Sequence, residues 1–361
     1  MFSLFDPIHI GGMVVSNRIV RSATNDRMAK DTGHVTDIMI KTYGALAAGG
    51  VGMIITGHVY VAWNGKASVS MWGGHQDDLI SGLTHVADAV HQYDSKIVMQ
   101  INHAGRQTAS ATIGETPVAP SAVFNPVTNE TPREFTGKEI EDLIDAYTAT
   151  ARRAVAAGFD GVQIHAAHGY LASQFISPYT NRRKDKWGGS LENRMRFPLE
   201  VYRRFRSALG DAYPITIKLN SEDFLEGGLT IDESAEIAKT LSQEGIDAIE
   251  ISGGMGESGS KIIRKDIKTE ADEAYFLSNA RKFKEKIDCP LILVGGMRSP
   301  ALMEKLLAGG EIDMIAMSRP LIREPDLANK WKSGDLKKAD CISCGGCQKH
   351  RDEPVRCIML D

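Results

Sequence analysis

The sequence has no cysteine before Cys289, no surplus of basic charge and no long apolar run. Each absence excludes a class. Without early cysteines there is no disulfide framework. No stretch approaches the roughly 18–20 apolar residues that span a bilayer, which argues against a membrane protein. A net charge of −4 gives no electrostatic reason to expect nucleic acid or an anionic membrane as partner. The opening MFSLFDPIHIGG carries Asp6 and Pro7 and lacks a basic region followed by an apolar core. It does not read as a secretory leader, so the expectation is a cytoplasmic chain.

What the chain does contain is ordinary in amount and uneven in placement. At 361 residues, 42% hydrophobic and 24% charged, it suits one large α/β domain. Four of the five cysteines, Cys341, Cys344, Cys347 and Cys357, fall after position 340. In a cytoplasmic chain this is a metal or cluster pattern. Cys289, alone beside Pro290, reads as a buried strand-edge thiol.

Apolar runs and amphipathic stretches alternate along most of the chain. Phe5–Ile10 and Met13–Val15 form a hairpin around Gly11-Gly12. Strands are expected at 18–21, 51–56, 96–101, 161–164, 214–219, 248–252, 290–294 and 314–317. Helices are expected at 36–48, 77–93, 136–157, 191–209, 231–244, 274–287, 300–308 and 325–332. The third helix opens on a capping box, Thr136 with Glu139. Residues 107–135 make a long Pro-bearing loop of functional length. Eight βα units with near-continuous apolar strands imply a parallel sheet closed into a (β/α)8 TIM barrel over residues 1–335, followed by a Cys-rich segment over 336–361.

In such a barrel the chemistry sits at the carboxyl ends of the strands. The fourth strand ends in His165-Ala-Ala-His168-Gly-Tyr170, two imidazoles that can converge on one oxygen beside a phenol. Taken alone, a His-x-x-His also reads as a metal half-site or a surface pair. Strands seven and eight run into Gly295-Gly296 and Ser318-Arg319, where barrels commonly hold a phosphate. Gly254-x-Gly256-x-x-Gly259 matches a dinucleotide fingerprint, but the basic stretch SKIIRKDIK follows it and no apolar-striped helix opens at the third glycine. It reads as a loop over the site. Lys218 and Gln100 end strands five and three and should look into the mouth. Lys218 can stabilise a developing anion or form a Schiff base, which keeps an aldolase reading open.

The central run HAAHGYLASQFISPYTNRRKDKWGGSLENRMRF, with NRIVRSA, QINHAGR, KLN, VGGMRSP and SRPLIREPDL, resembles the Old Yellow Enzyme family of FMN-dependent ene-reductases in colinear order. The terminal cysteines resemble the branch that contains 2,4-dienoyl-CoA reductase and trimethylamine dehydrogenase. The resemblance implies reduction of an activated C=C bond in an α,β-unsaturated carbonyl compound, with NAD(P)H as reductant entering the same pocket. It implies that Ser22, Ala23, Asn25, Gly57 and His58 meet the flavin ring, that Gln100 and Lys218 meet its pyrimidine, and that Gly295, Gly296, Ser318 and Arg319 hold its phosphate. His165 and His168 would bind the substrate carbonyl and Tyr170 would deliver the proton. Relatives often carry Thr or Cys at Asn25, arginine at Lys218 and a tyrosine at Arg27; the last departure suggests an altered, anionic substrate preference.

Cys341-x-x-Cys344-x-x-Cys347 with Cys357 suits a [4Fe–4S] cluster or tetrahedral zinc. The branch points to the cluster, whose role would be to pass single electrons to or from FMN. An electron-transfer subunit docking a partner, and a homo-oligomer, both stay open.

Overall fold

The computed structural model describes residues 2–349 and 353–360. Eight parallel strands, β1 (Ile19–Arg21), β2 (Met53–Ile55), β3 (Lys96–Asn102), β4 (Gly161–Ala166), β5 (Ile215–Asn220), β6 (Ala248–Ser252), β7 (Leu291–Val294) and β8 (Met314–Met317), pair in sequence order. The sheet closes because β8 pairs with β1, Ala316 opposite Val20. Helices α1 (Asp37–Ala48), α2 (Ile80–His91), α3 (Gly137–Ala156), α4 (Leu191–Leu209), α5 (Ile231–Gln243), α6 (Leu277–Lys284), α7 (Pro300–Ala308) and α8 (Leu327–Lys332) follow the strands in turn. This is the (β/α)8 barrel that the alternation implies.

The strands are buried on both faces, as their unbroken apolar runs require. Residues such as Ile54, Ile101, Ile164, Ile217 and Leu293 face the helices in one core. Val20, Met53, Val98, Ile292 and Met314 fill the barrel interior in a second core. The antiparallel hairpin of Ile8–Ile10 and Met13–Val15 adds Ile10, Met13 and Val15 to that inner core and closes the N-terminal end. The opposite end is left for the loops.

Local signals act where expected. Thr136 Oγ1 accepts from the Glu139 amide (3.2 Å) while the Glu139 carboxylate accepts from the Thr136 amide (2.7 Å), so α3 opens on its capping box. Helix α1 stops at Gly49, where any Cβ would sit 1.9 Å from the Pro325 carbonyl oxygen. Only glycine allows that approach.

Several boundaries differ from the sequence expectation by one to three residues, and three of them matter to the site. Strand β4 runs to Ala166, so His165 belongs to the strand itself. Helix α6 begins at Leu277, because Ala274 is left-handed (φ 52°) and the Tyr275 amide donates to the Gly295 carbonyl. A short helix, Arg319–Arg323, precedes α8, which starts at Leu327. Residues 107–135 also hold a four-residue helix, Ser110–Ile113, and a two-residue ladder between Val118–Ala119 and Arg133–Glu134. Among the described residues no helix is long and apolar enough to cross a membrane.

Candidate active site

A cavity of about 350 Å³ opens at the carboxyl end of the barrel. Of the residues singled out in sequence for a cofactor or substrate, Ser22, Ala23, Asn25, His58, Gln100, His165, His168, Tyr170, Lys218, Gly296, Ser318 and Arg319 line it. Gly57 and Gly295 do not. Gly57 is turned toward Tyr43, whose hydroxyl accepts its amide (2.7 Å), and Gly295 backs the cavity through the bond from Tyr275.

One wall is a hydrogen-bonded polar chain on neighbouring strands. Lys218 and Glu250 are opposite in the β5–β6 register, and Gln163 is opposite Gln100 in β4–β3. The Glu250 carboxylate, completely buried, accepts from Ser22 Oγ (2.6 Å), Lys218 Nζ (2.8 Å) and Gln163 Nε2 (3.1 Å). Lys218 also donates to Ser22 Oγ (2.8 Å), and Gln100 Nε2 donates to Gln163 Oε1 (2.7 Å). A buried charge pair survives where each partner keeps several such bonds. Glu250 and Gln163 were not read from the sequence. Their signal was a polar residue inside an otherwise apolar strand, AIEIS and GVQIH.

The other wall is aromatic. The Tyr170 ring packs 4.8 Å from His165 and 4.9 Å from His58, and His165 lies 5.4 Å from His168. His58 Nδ1 bonds Asn102 (2.9 Å) and His168 Nε2 bonds Ser252 Oγ (2.6 Å). His58 Nε2 and His165 Nδ1 are buried and have no protein partner. Burial lowers the His58 pKa to about 4 and that of His168 to about 3, and it holds His165 well below the usual range. All three are therefore neutral at pH 7, and a neutral imidazole still carries one N–H to donate. Burial pushes the Tyr170 phenol up to about 12, so it keeps its proton. His168 sits in the left-handed region (φ 64°), held there by its amide donating to Asn220 Oδ1 (3.0 Å).

At the third side, Gly296 (φ 74°) lies under Tyr275, whose ring atoms would be 3.1 Å from any Cβ placed there. Ser318 accepts from Arg21 at its carbonyl (2.6 Å) and meets Thr24 Oγ1 through its hydroxyl (2.8 Å). Arg319 borders the cavity and donates to the Ser343 carbonyl (3.1 Å).

The cysteine segment packs against this side. Cys341, Cys344, Cys347 and Cys357 border one small second cavity, with Arg319, Ile322 and Ile358. Arginines hold its backbone: Arg298 donates to the Cys341 carbonyl (2.6 Å) and Arg27 to that of Cys347 (3.2 Å). Arg27 therefore serves the cysteine loop and does not line the substrate cavity, contrary to the role its position suggested. Among the described residues no three His, Cys, Asp or Glu side chains converge closely enough to hold a single metal ion. Cys289 is half-buried and apart from the other four, with its thiol pushed up to about 11 by burial.

Residues 3–338 match the NADH:flavin oxidoreductase / NADH oxidase family. The chain is 41% identical over 351 residues to an NADH oxidase of Thermoanaerobacter brockii, covering 96% of this chain and 53% of that one. It is 35% identical over 324 residues to an NADPH dehydrogenase of Clostridium acetobutylicum, covering 89% and 92%. Among solved structures it superposes with a TM-score of 0.93 on a 2-naphthoyl-CoA reductase in complex with 2-naphthoyl-CoA, at 34% identity over 99% of this chain and 57% of that one. An old yellow enzyme homologue from Zymomonas mobilis gives a TM-score of 0.81 at 28% identity, covering 93% and 94%. The chain thus spans about half the length of the NADH oxidase and the naphthoyl-CoA reductase, and nearly all of the two shorter relatives. Barrel, cavity and matched residues agree: the chain belongs to the NADH:flavin oxidoreductase / NADH oxidase family.

Proposed function

We propose that the barrel holds FMN and reduces an activated C=C bond, of the α,β-unsaturated carbonyl class, with NAD(P)H as reductant. The observation that carries this reading is the gathering of three neutral imidazoles and a protonated phenol in the same cavity as Lys218, Gly296 and Arg319. The residues fit the flavin. Gly296 leaves the backbone bare beside Arg319, as a phosphate needs, and Lys218 and Gln100 present donors where a pyrimidine edge would lie. Bound FMN supplies the hydride.

The chain's own residues would do the rest. His165 and His168 donate to the carbonyl oxygen, where negative charge grows as the β-carbon is reduced. His165 Nδ1, buried without a partner, is an atom for which a ligand would provide that partner. Tyr170 O–H, standing against His165 and His58, protonates the α-carbon. The ion pair of Lys218 with Glu250, in a chain of a flavin family, supports this reading over the Schiff-base alternative.

The spacing of the four cysteines and the resemblance to the 2,4-dienoyl-CoA reductase branch support a [4Fe–4S] cluster, with zinc as the alternative. Tetrahedral zinc at ~2.3 Å from each sulfur demands tightly converged thiols. Here the four cysteines border one shared cavity. A cluster held there would lie across Arg319 from the larger cavity, since Arg319 borders both. Anaerobically purified protein should carry one FMN and about four irons per chain and should turn over 2-cyclohexenone with NAD(P)H. A colourless protein would overturn the flavin reading. Stoichiometric zinc without iron would overturn the cluster and leave the reductase standing.

A further inference from the structure

The basic stretch after β6, set aside in sequence because no helix follows its glycines, forms a lip at the cavity mouth. Its front is anchored by a buried ion pair, Arg106 to Glu257 (2.8 Å). Its back is anchored where the Asp266 amide donates to the Ser343 carbonyl (3.2 Å) and Arg298 donates to the carbonyl of buried Ile267. Between the anchors Ile262 and Ile263 line the cavity. The intervening cations face outward: Lys261, Lys265 and Lys268 are exposed and Arg264 is half-buried. Lys261 lies 5.4 Å from the centre of the Phe224 ring, and the Arg264 guanidinium 4.6 Å from that of Tyr275, itself a cavity residue. Residues 261–268 hold four cations and one carboxylate, Asp266. Among the described residues none of the four side-chain cations lies within 4.0 Å of a carboxylate oxygen, while the Lys268 backbone amide donates to Asp272 Oδ2 (3.2 Å).

Cations without a carboxylate partner on an anchored segment, beside the half-buried Ile262 and the exposed Ile263 at the cavity mouth, match a ligand that is apolar or conjugated at one end and polyanionic at the other. We propose that this lip binds the diphosphate of an adenosine-diphosphate-bearing ligand whose reactive end enters the cavity. Arg264 can take a phosphate through its planar fork, and the lysines act as point charges around it. Two ligands share this chemistry, NAD(P)H and an enoyl thioester of coenzyme A. The inference rests on the proposed function and narrows its ligand class.

The test uses FMN-loaded full-length protein carrying Lys261→Gln, Arg264→Gln, Lys265→Gln and Lys268→Gln together. Flavin reduction by NADPH and re-oxidation of dithionite-reduced flavin by crotonyl-CoA are followed against concentration. Re-oxidation by 2-cyclohexenone, which has no phosphate, is the control. The half-saturating concentration of NADPH or of crotonyl-CoA should rise about tenfold or more at low salt, the sum of several exposed charge contacts. Whichever ligand moves is the one the lip serves. In the unmodified protein the same constant should weaken steadily toward about 1 M salt, where the Debye length falls to ~3 Å. Unchanged constants for both ligands, or a flat salt dependence, overturn the proposal. Loss of FMN from the variant also overturns it, since the cations would then belong to the flavin phosphate. Inert cyclohexenone in the unmodified protein would fail the reductase reading instead, while NADPH reduction would still report on the lip.

Discussion

The two walls of the cavity are built on opposite plans. Along β3 to β6 the polar groups bond one another in a chain, from Gln100 through Gln163 and Glu250 to Lys218 and Ser22, with donors of Lys218 and Gln100 to spare. Across the mouth, His58 and His165 each bury a ring nitrogen with no partner. A bonded network fixes geometry, because every member is held by the next. An orphaned donor or acceptor costs stability until something binds it. One wall is therefore a rigid seat, and the other is left chemically unfinished for a visitor.

The sharpest way to break that contrast is at Tyr170. Tyr170→Phe should slow enone reduction by about 10²–10⁴-fold, the range of general acid catalysis. Stopped-flow reduction of the flavin by NAD(P)H should be unaffected. Equal loss in both half-reactions would remove Tyr170 from the proton-donor role.

The seat should fail differently. Glu250→Gln leaves Lys218 buried without its counter-charge and should destabilise the fold by about 3–5 kcal/mol in denaturant titration. Adding Lys218→Met removes the stranded cation and should recover most of that loss. If the two losses simply add, the pair does not act as a unit.

The unfinished wall carries a pH signature. His58 and His168 have pKa values of about 4 and about 3 in the fold, against 6.5 in the unfolded chain. Below pH ~6.5 the unfolded state takes up protons that the fold refuses, so stability falls as pH falls toward about 3. Each histidine adds up to ~1.4 kcal/mol per pH unit over its own window. Replacing His58 with Gln should flatten the slope between pH ~6.5 and ~4 in thermal or denaturant melts. An unchanged slope there would mean that His58 already titrates normally in the fold.

The smallest effect is on ligand affinity. His165→Ala should weaken binding of a phenolic ligand about tenfold, one hydrogen bond's worth. Adding His168→Ala should cost less than the first change, because donors sharing one oxygen are not additive. Calorimetric titration reads both, and affinity surviving the double change would place the ligand elsewhere.

The barrel was legible because its strands are apolar on both faces and its helices announce their caps, as Thr136 does. The aromatic wall was legible because HAAHGY packs its chemistry into consecutive residues. The hydrogen-bonded wall was not. Glu250 meets Lys218 only through the β5–β6 register, 32 positions apart, and nothing local in AIEIS says which charge lies opposite. Arg27 misled for a related reason. Its left-handed backbone (φ 54°) accompanies a guanidinium that reaches the Cys347 carbonyl, 320 positions away. Long-range partners of single polar residues leave no period to read.

Arg319 is lined by a cavity on either side, one bordered by Tyr170 and Lys218 and the other by the four cysteines. It is a party wall, and a party wall makes two tenants each other's business. If the cysteines hold a metal as proposed, and filling their chamber tightens the hold on FMN by some factor, filling the flavin chamber must tighten the hold on that metal by the same factor. Under that coupling chelation should raise the dissociation constant of FMN, and flavin removal should raise the dissociation constant of the metal by the same ratio. Two chambers that share a partition would fill, and empty, together.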